Sequence, residues 1–128
     1  MTPLHFACLN PNTDILDQLL QINGDFNMLD NEMRRPIHYA AVCESSSNLQ
    51  YLLDKGANVG DLDMKKSTCL HTAAKAGRSD NIRLILSKNK SLVKLKDKHG
   101  HSAMSYACLN SDLESIKALV ESGEVKIN

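Results

Sequence analysis

Tryptophan is absent from the 128 residues, and aromatic residues of all kinds make up only 4% of them. A core without many large flat rings must be built from Leu, Ile, Val, Ala and Met, which suits close helix packing better than a β-sandwich. No apolar run approaches the roughly 20 residues a membrane span needs, and the residues after Met1 are polar and helix-starting, unlike a signal peptide. Net charge is missing too, since 15 basic side chains balance 15 acidic ones. Paired cysteine spacing is also absent. Cys8, Cys43, Cys69 and Cys108 lie 35, 26 and 39 residues apart, which fits neither a zinc site nor a thioredoxin motif. They read as small, buried or half-buried thiols in a reducing compartment. These exclusions leave a soluble helical chain of the cytosol or nucleus, long enough for one domain and too short for two.

What is present is a repeat. His5, His38 and His71 are separated by 33 and 33 residues. Each sits in the same setting: Leu4-His5-Phe6-Ala7, Ile37-His38-Tyr39-Ala40 and Leu70-His71-Thr72-Ala73. A fourth copy follows 34 residues later as Met104-Ser105-Tyr106-Ala107, without the histidine. The second half of each unit keeps register as well. Leu16, Leu19 and Leu20 map onto Leu49, Leu52 and Leu53, then Ile82, Ile85 and Leu86, then Ile116, Leu119 and Val120. That i, i+3, i+4 spacing marks one apolar helix face.

Helix ends are equally legible. Thr2-Pro3 offers a hydroxyl cap with proline at the first helical position, and Ser102 can cap the fourth unit. Asn23-Gly24, Lys55-Gly56 and Ser122-Gly123 are stops at which Gly or Asn can turn left-handed. In the third unit Ser87-Lys88-Asn89-Lys90 replaces them, which places the stop on Asn89 and the extra residue nearby. Between units run short polar stretches, each with one aspartate in register: Asp30, Asp63 and Asp97. They predict hairpin-like fingers.

Thr2-Pro3-Leu4-His5-Phe6-Ala7 resembles the opening signature of the ankyrin repeat, and the 33-residue period matches that family over the whole chain. The resemblance implies an all-α solenoid of stacked helix-turn-helix pairs with finger loops. One domain over 1–128 is expected, with repeats near 1–29, 30–62, 63–96 and 97–128. Departures are local. Arg35 stands where a capping Thr is expected, Cys69 replaces Pro, and the fourth copy reads Ser102-Ala103-Met104-Ser105, so those helix starts are expected to be weaker. The glycine that usually joins the two helices occurs only at Gly77; Pro11-Asn12, Ser45-Ser46-Ser47 and Ser111-Asp112 replace it elsewhere, predicting turns that are looser or differently shaped.

No Gly-rich phosphate loop or nucleophile-base pairing stands out, so no catalytic residue, metal or cofactor is expected. The repeated histidines sit about 8–10 Å apart at helix-packing distance, too far to share an ion. The resemblance gives each a structural role, a ring tucked at its helix start and bonded to neighbouring backbone or to a hydroxyl such as Thr2. Cys8 and Cys108 fill the position of Ala41 and Ala74 and are expected as small core residues. Asp14 with Asp17, and Asp61 with Asp63, read as solubilising pairs. The chain starts at a helix with no finger before it and stops where the next finger would begin, and its end units are not plainly polar at Cys8, Leu9, Tyr106 and Ile116. It is therefore expected to be a piece of a longer protein.

In such stacks the resemblance places partners on the concave face of fingers and first helices. Carried over by register, the finger positions are Asn31, Glu32 and Arg34, then Met64, Lys65 and Ser67, then Lys98, His99 and His101, all expected to be exposed. The matching helix positions are Leu9 and Asn10, Val42 and Cys43, Lys75 and Ala76, and Leu109 and Asn110. His99 and His101 are exposed loop residues, or pH-tunable partner contacts. Charge is lopsided: residues 1–63 carry three basic and nine acidic side chains, residues 64–101 ten and two, and residues 102–128 two and four. Lys88, Lys90, Lys94 and Lys96 belong to an outer loop, while Lys65, Lys75 and Lys98 face the groove. The expected partner is a protein or peptide with an acidic segment, bound across the third and fourth units with apolar anchorage at Leu9, Val42 and Met64. Nucleic acid is not expected, because no aromatic residues interleave the basic stretch and the chain is not basic overall. Nor is direct membrane contact, and a monomer is expected. The function expected is a non-catalytic interaction module; the alternative is a regulatory arm of an enzyme (kinase or acyltransferase) or ion channel, with the chemistry outside these residues.

Overall fold

The structure, a computed structural model, describes residues 3–22 and 27–123. Among the described residues eight α-helices run in pairs: α1 (Pro3–Ala7) with α2 (Thr13–Ile22), α3 (Pro36–Ala40) with α4 (Ser47–Asp54), α5 (Cys69–Ala76) with α6 (Ser79–Lys88), and α7 (Ala103–Leu109) with α8 (Leu113–Gly123). Among the described residues there is no strand. The first helices stack in order, α1 on α3 on α5 on α7, and the second helices pack as α2 on α4 and α6 on α8. This is the all-helical repeat stack expected. The caps at Thr2 and the stop at Asn23-Gly24 lie outside the described residues.

The repeated apolar face forms the core. Leu16, Leu49, Leu52, Ile82, Ile85, Leu86 and Leu119 are fully buried. Leu19, Leu53, Ile116 and Val120 are half-buried, so the face narrows away from the third unit. Small first-helix residues such as Ala40, Ala41, Ala73, Ala74, Ala103 and Ala107 are also fully buried, which lets neighbouring backbones approach.

Histidine closes the starts of α3 and α5, and His5, His38 and His71 each tie their unit to the next. His38 Nδ1 accepts from the Arg35 amide at 3.0 Å, and Nε2 donates to the Ser67 carbonyl at 3.3 Å. His71 repeats this with the Thr68 amide and the carbonyls of Leu95 and His101, each at 3.1 Å. His5 Nε2 reaches the Arg34 carbonyl at 3.0 Å. Burial lowers the pKa of His38 and His71 against the pull of Asp63 and Asp97 respectively, which favours the neutral ring that this pattern of one donor and one acceptor requires.

Several local expectations change. Cys69 in the proline position does not weaken α5, because Thr68 accepts from the His71 amide and His71 reaches back to the Thr68 amide. Ser102 and Ser105 form the same reciprocal box at α7 without a histidine. Arg35 brings no side-chain acceptor to the start of α3, nor does Arg78 to that of α6. The α6 stop does fall on Asn89, but in an extended conformation, and its side chain accepts from Ser91 N to start a 3-10 helix, Lys90–Lys94. The outer loop expected there is thus a helical turn that buries Leu92. Gly77 ends α5 at φ 72°, where an added Cβ would fall 2.7 Å from Asp112 Oδ2, and Ser111 takes φ 53° at the matching turn of the fourth unit.

Cysteine burial splits by position. Cys8, Cys43 and Cys69 are buried, whereas Cys108 is exposed. Cys108 was expected in the core because Cys8, Ala41 and Ala74 are; those three are covered by the following helix pair, and none follows α8 among the described residues.

Candidate partner-binding surface

Each finger is built on its register aspartate. Asp30 Oδ1 accepts from the amides of Glu32 and Arg34, Asp63 Oδ1 from those of Lys65 and Ser67, and Asp97 Oδ1 from those of His99 and His101, at 2.8–3.0 Å. A carboxylate that accepts two amides, i+2 and i+4, folds the chain back on itself. The reversal needs a left-handed residue at each tip, supplied by Met33 (φ 60°), Lys66 (φ 58°) and Gly100 (φ 80°). Asp63 is therefore a structural bracket, and Asp61 is paired with Arg35 at 3.4 Å; neither is merely solubilising as expected. Asp17 likewise accepts from the Tyr51 hydroxyl rather than standing free on a solvated face.

The fingers are joined edge to edge. Met64 N donates to Glu32 O at 2.9 Å, and Lys98 N donates to Lys65 O at 2.8 Å. These bonds bring Glu32, Met64, Lys65 and Lys98 into one run.

A tyrosine seals two of the three aspartates. The hydroxyls of Tyr39 and Tyr106 donate to Asp30 Oδ2 and Asp97 Oδ2. Burial would raise the Asp97 carboxyl, but the bonds from Tyr106 and the His101 and His99 amides outweigh it and hold it down at about 2. Asp30 is held below the usual carboxylate range in the same way, by Tyr39 and Arg34 against burial. The tyrosines respond in the opposite sense, both pushed up to about 12 by burial and by the carboxylate they bond. Over each ring lies a further group: the Arg34 guanidinium 5.1 Å from the Tyr39 centroid, and Lys75 Nζ 4.7 Å from that of Tyr106.

Of the surface positions read from sequence, Asn31, Glu32, Met64, Lys65, Lys98 and His99 are exposed on the fingers, and Leu9, Asn10, Lys75, Leu109 and Asn110 on the first-helix side. Arg34, Val42, Ala76 and His101 are half-buried. Ser67 was expected to be exposed and is 4% exposed; its carbonyl and amide serve His38 and Asp63. Cys43 is equally buried, its thiol donating to the Leu9 carbonyl at 3.6 Å. Neither side chain is presented to solvent. His101 packs its ring on Tyr106 at 5.2 Å between centroids, so it is less free than a loop residue.

Two family models match this chain: one described as ankyrin repeats in three copies covers residues 1–63, and one described as ankyrin repeats in many copies covers residues 52–107. The chain belongs to the ankyrin-repeat family. No curated protein matches it. Ankyrin repeats are generally modules for protein-protein interaction and typically non-catalytic, which fits a site made of tied fingers rather than converging nucleophiles and bases. Among the described residues no group of His, Cys, Asp and Glu could hold a metal ion, and no helix is long and apolar enough to cross a membrane.

Sequence reasoning did not single out three contributors to this ankyrin surface. Asn48 and Asn81 donate from their buried amides to carbonyls at the end of the preceding unit's first helix, Asn48 to Cys8 at 3.0 Å and Asn81 to Ala41 at 2.8 Å. The signal was there, as two asparagines in register directly beside Leu49 and Ile82. Arg78 Nε caps the Val42 carbonyl at 2.8 Å. The tyrosine seal was also readable, since Asp30-Tyr39 and Asp97-Tyr106 share a spacing of nine.

Proposed function

We propose that this ankyrin array is a non-catalytic binding module that holds an acidic segment of another protein along the concave face of fingers and first helices. In this reading the chain is one domain of four units, 1–29, 30–62, 63–96 and 97–128, working as a monomer in the cytosol or nucleus without metal or cofactor. The observation that carries it is the run of exposed cations at Lys65, Lys75 and Lys98, two of them on fingers joined by the 2.8 Å bond from Lys98 N to Lys65 O. Exposed Met64 and Leu9 and half-buried Val42 supply apolar surface at the matching finger and first-helix register positions. Like charges fixed on a rigid frame favour an anionic partner over a cationic one and speed its encounter. Tyr39 and Arg34 hold the first finger closed, so the partner meets a preformed surface and little ordering is lost on binding.

The test is a capture experiment from native lysate at low and high salt, comparing the unmodified chain with Lys65→Glu/Lys98→Glu. Partner capture should fall at least about tenfold in the double variant and weaken as salt screens the charges. A partner retained equally by the charge-reversed chain, with no response to salt, overturns the acidic-segment reading.

A further inference from the structure

The second finger lacks what its neighbours share. In the units of α3 and α7 a tyrosine hydroxyl seals the finger aspartate, and a large side chain from the finger's last residue lies on that ring: Arg34 over Tyr39, His101 against Tyr106. In the unit of α5 both partners are small. Thr72 stands where the tyrosines stand, and Ser67 where Arg34 and His101 stand. The Thr72 hydroxyl is turned to its own helix, donating to the Thr68 carbonyl at 3.1 Å. Asp63 Oδ2 has no hydrogen bond among the described residues, and the buried Ser67 Oγ has no partner either. Asp63, Thr72 and Val42 are all half-buried.

We propose that a tyrosine of the bound protein enters this position, its hydroxyl donating to Asp63 Oδ2 as Tyr39 and Tyr106 donate to Asp30 and Asp97. Charge selects the neutral donor. Lys65, Lys66 and Lys98 oppose a cation there, and the Asp63 carboxylate opposes an anion. A phenol offers what remains, a hydroxyl donor on a flat apolar body that can lie against Val42. The inference rests on the finger face being the interaction surface, and it adds a residue-level demand on the partner's sequence: an aromatic hydroxyl among acidic neighbours.

The probes are two peptides, N-acetyl Glu-Asp-Tyr-Asp-Glu amide and its phenylalanine counterpart, titrated into the isotopically labelled full chain while backbone amide shifts are followed. The tyrosine peptide should move the amides of Asp63, Lys65 and Thr72 and saturate at about tenfold lower concentration than the phenylalanine peptide, the ratio expected for one hydrogen bond to a charged group. Thr72→Tyr should supply the ring internally, raise Tm by about 2–6 °C, and abolish the preference. Should that variant not fold, Thr72→Leu, which fills the space without a hydroxyl, must abolish the preference instead. Equal saturation by both peptides, with the Lys65 and Lys98 amides responding, overturns the tyrosine inference and leaves the acidic-segment reading standing. A preference that survives Thr72→Tyr or Thr72→Leu overturns it too. Silence of the finger amides toward both peptides overturns both readings.

Discussion

Asn81 donates its side-chain amide to the Ala41 carbonyl at 2.8 Å across 40 residues of sequence, and to the Cys43 carbonyl at 2.9 Å. Its oxygen in turn accepts from Ser46 at 2.8 Å. One buried side chain thus satisfies the open carbonyl end of α3 and fixes the junction between two units. Asn81→Ala leaves those carbonyls without a donor, at a cost of about 2–3 kcal/mol. Urea denaturation followed by circular dichroism measures it; a loss within about 0.5 kcal/mol of zero shows that water replaces the amide without penalty.

Ile85 is fully buried between α6 and its neighbours, whereas Leu53, its register-mate's neighbour in α4, is only half-buried. Ile85→Ala should therefore cost about 2–5 kcal/mol, and Leu53→Ala clearly less. Equal losses in the same denaturation assay contradict this ordering of the core.

Acid should act in two stages. The folded pKa of His38 and His71 is lowered by burial, so the unfolded chain takes up protons first as pH falls below the ordinary value of 6.5, and stability declines from there. The depressed Asp97 carboxyl contributes stability that is full above 3.8 and lost as pH falls toward about 2. Unfolding midpoints measured from pH 8 down to 3 should show the first decline flattened in His71→Gln. A profile level between pH 7 and 5 in the unmodified chain rules out buried neutral imidazoles.

Thiol labelling should resolve one fast cysteine from three slow ones. Cys108 is exposed, while burial pushes Cys8, next to Cys43, and Cys69 up to about 12. Mass spectrometry after brief maleimide treatment of the native protein should find a single adduct at Cys108, and four after denaturation. Early labelling of Cys69 is incompatible with its burial.

Arg35 is extended at the start of α3 and, unlike Thr68 at α5, brings no side-chain acceptor to the His38 amide, which bonds instead to the Arg35 carbonyl at 3.0 Å. Arg35→Thr should gain about 0.5–1 kcal/mol from the new cap, reduced by loss of the 3.4 Å pair with Asp61. A melting temperature lower than that of the unmodified chain shows that the ion pair outweighs the cap.

Much of this architecture was legible because two periods coincide in the sequence. The 33-residue recurrence of His5, His38 and His71 marks the units, and the helical spacing of Leu49, Leu52 and Leu53 marks the buried side of each second helix. Register alone puts finger residues such as Lys65 and Lys98 at exposed positions, and both are exposed. Ser67 was not, because a small polar residue reads as exposed until the carbonyl it gives to His38 is seen. Cys108 and the 3-10 turn at Lys90–Lys94 escaped for opposite reasons. The first depends on what covers a position from the next unit, and the second on Leu92 finding a place against α6 and α8, a tertiary contact that local propensity does not encode. Asn48 and Asn81 were passed over because a polar residue on an apolar face carries no meaning until its long-range acceptors are known.

The bonds from Met64 to Glu32 and from Lys98 to Lys65 have a mechanical consequence. Each is a single strap across a seam, contributing about 1 kcal/mol. Parting two neighbouring units at their finger edge therefore breaks one such strap per seam, so the fingers as well as the helices hold the stack in register.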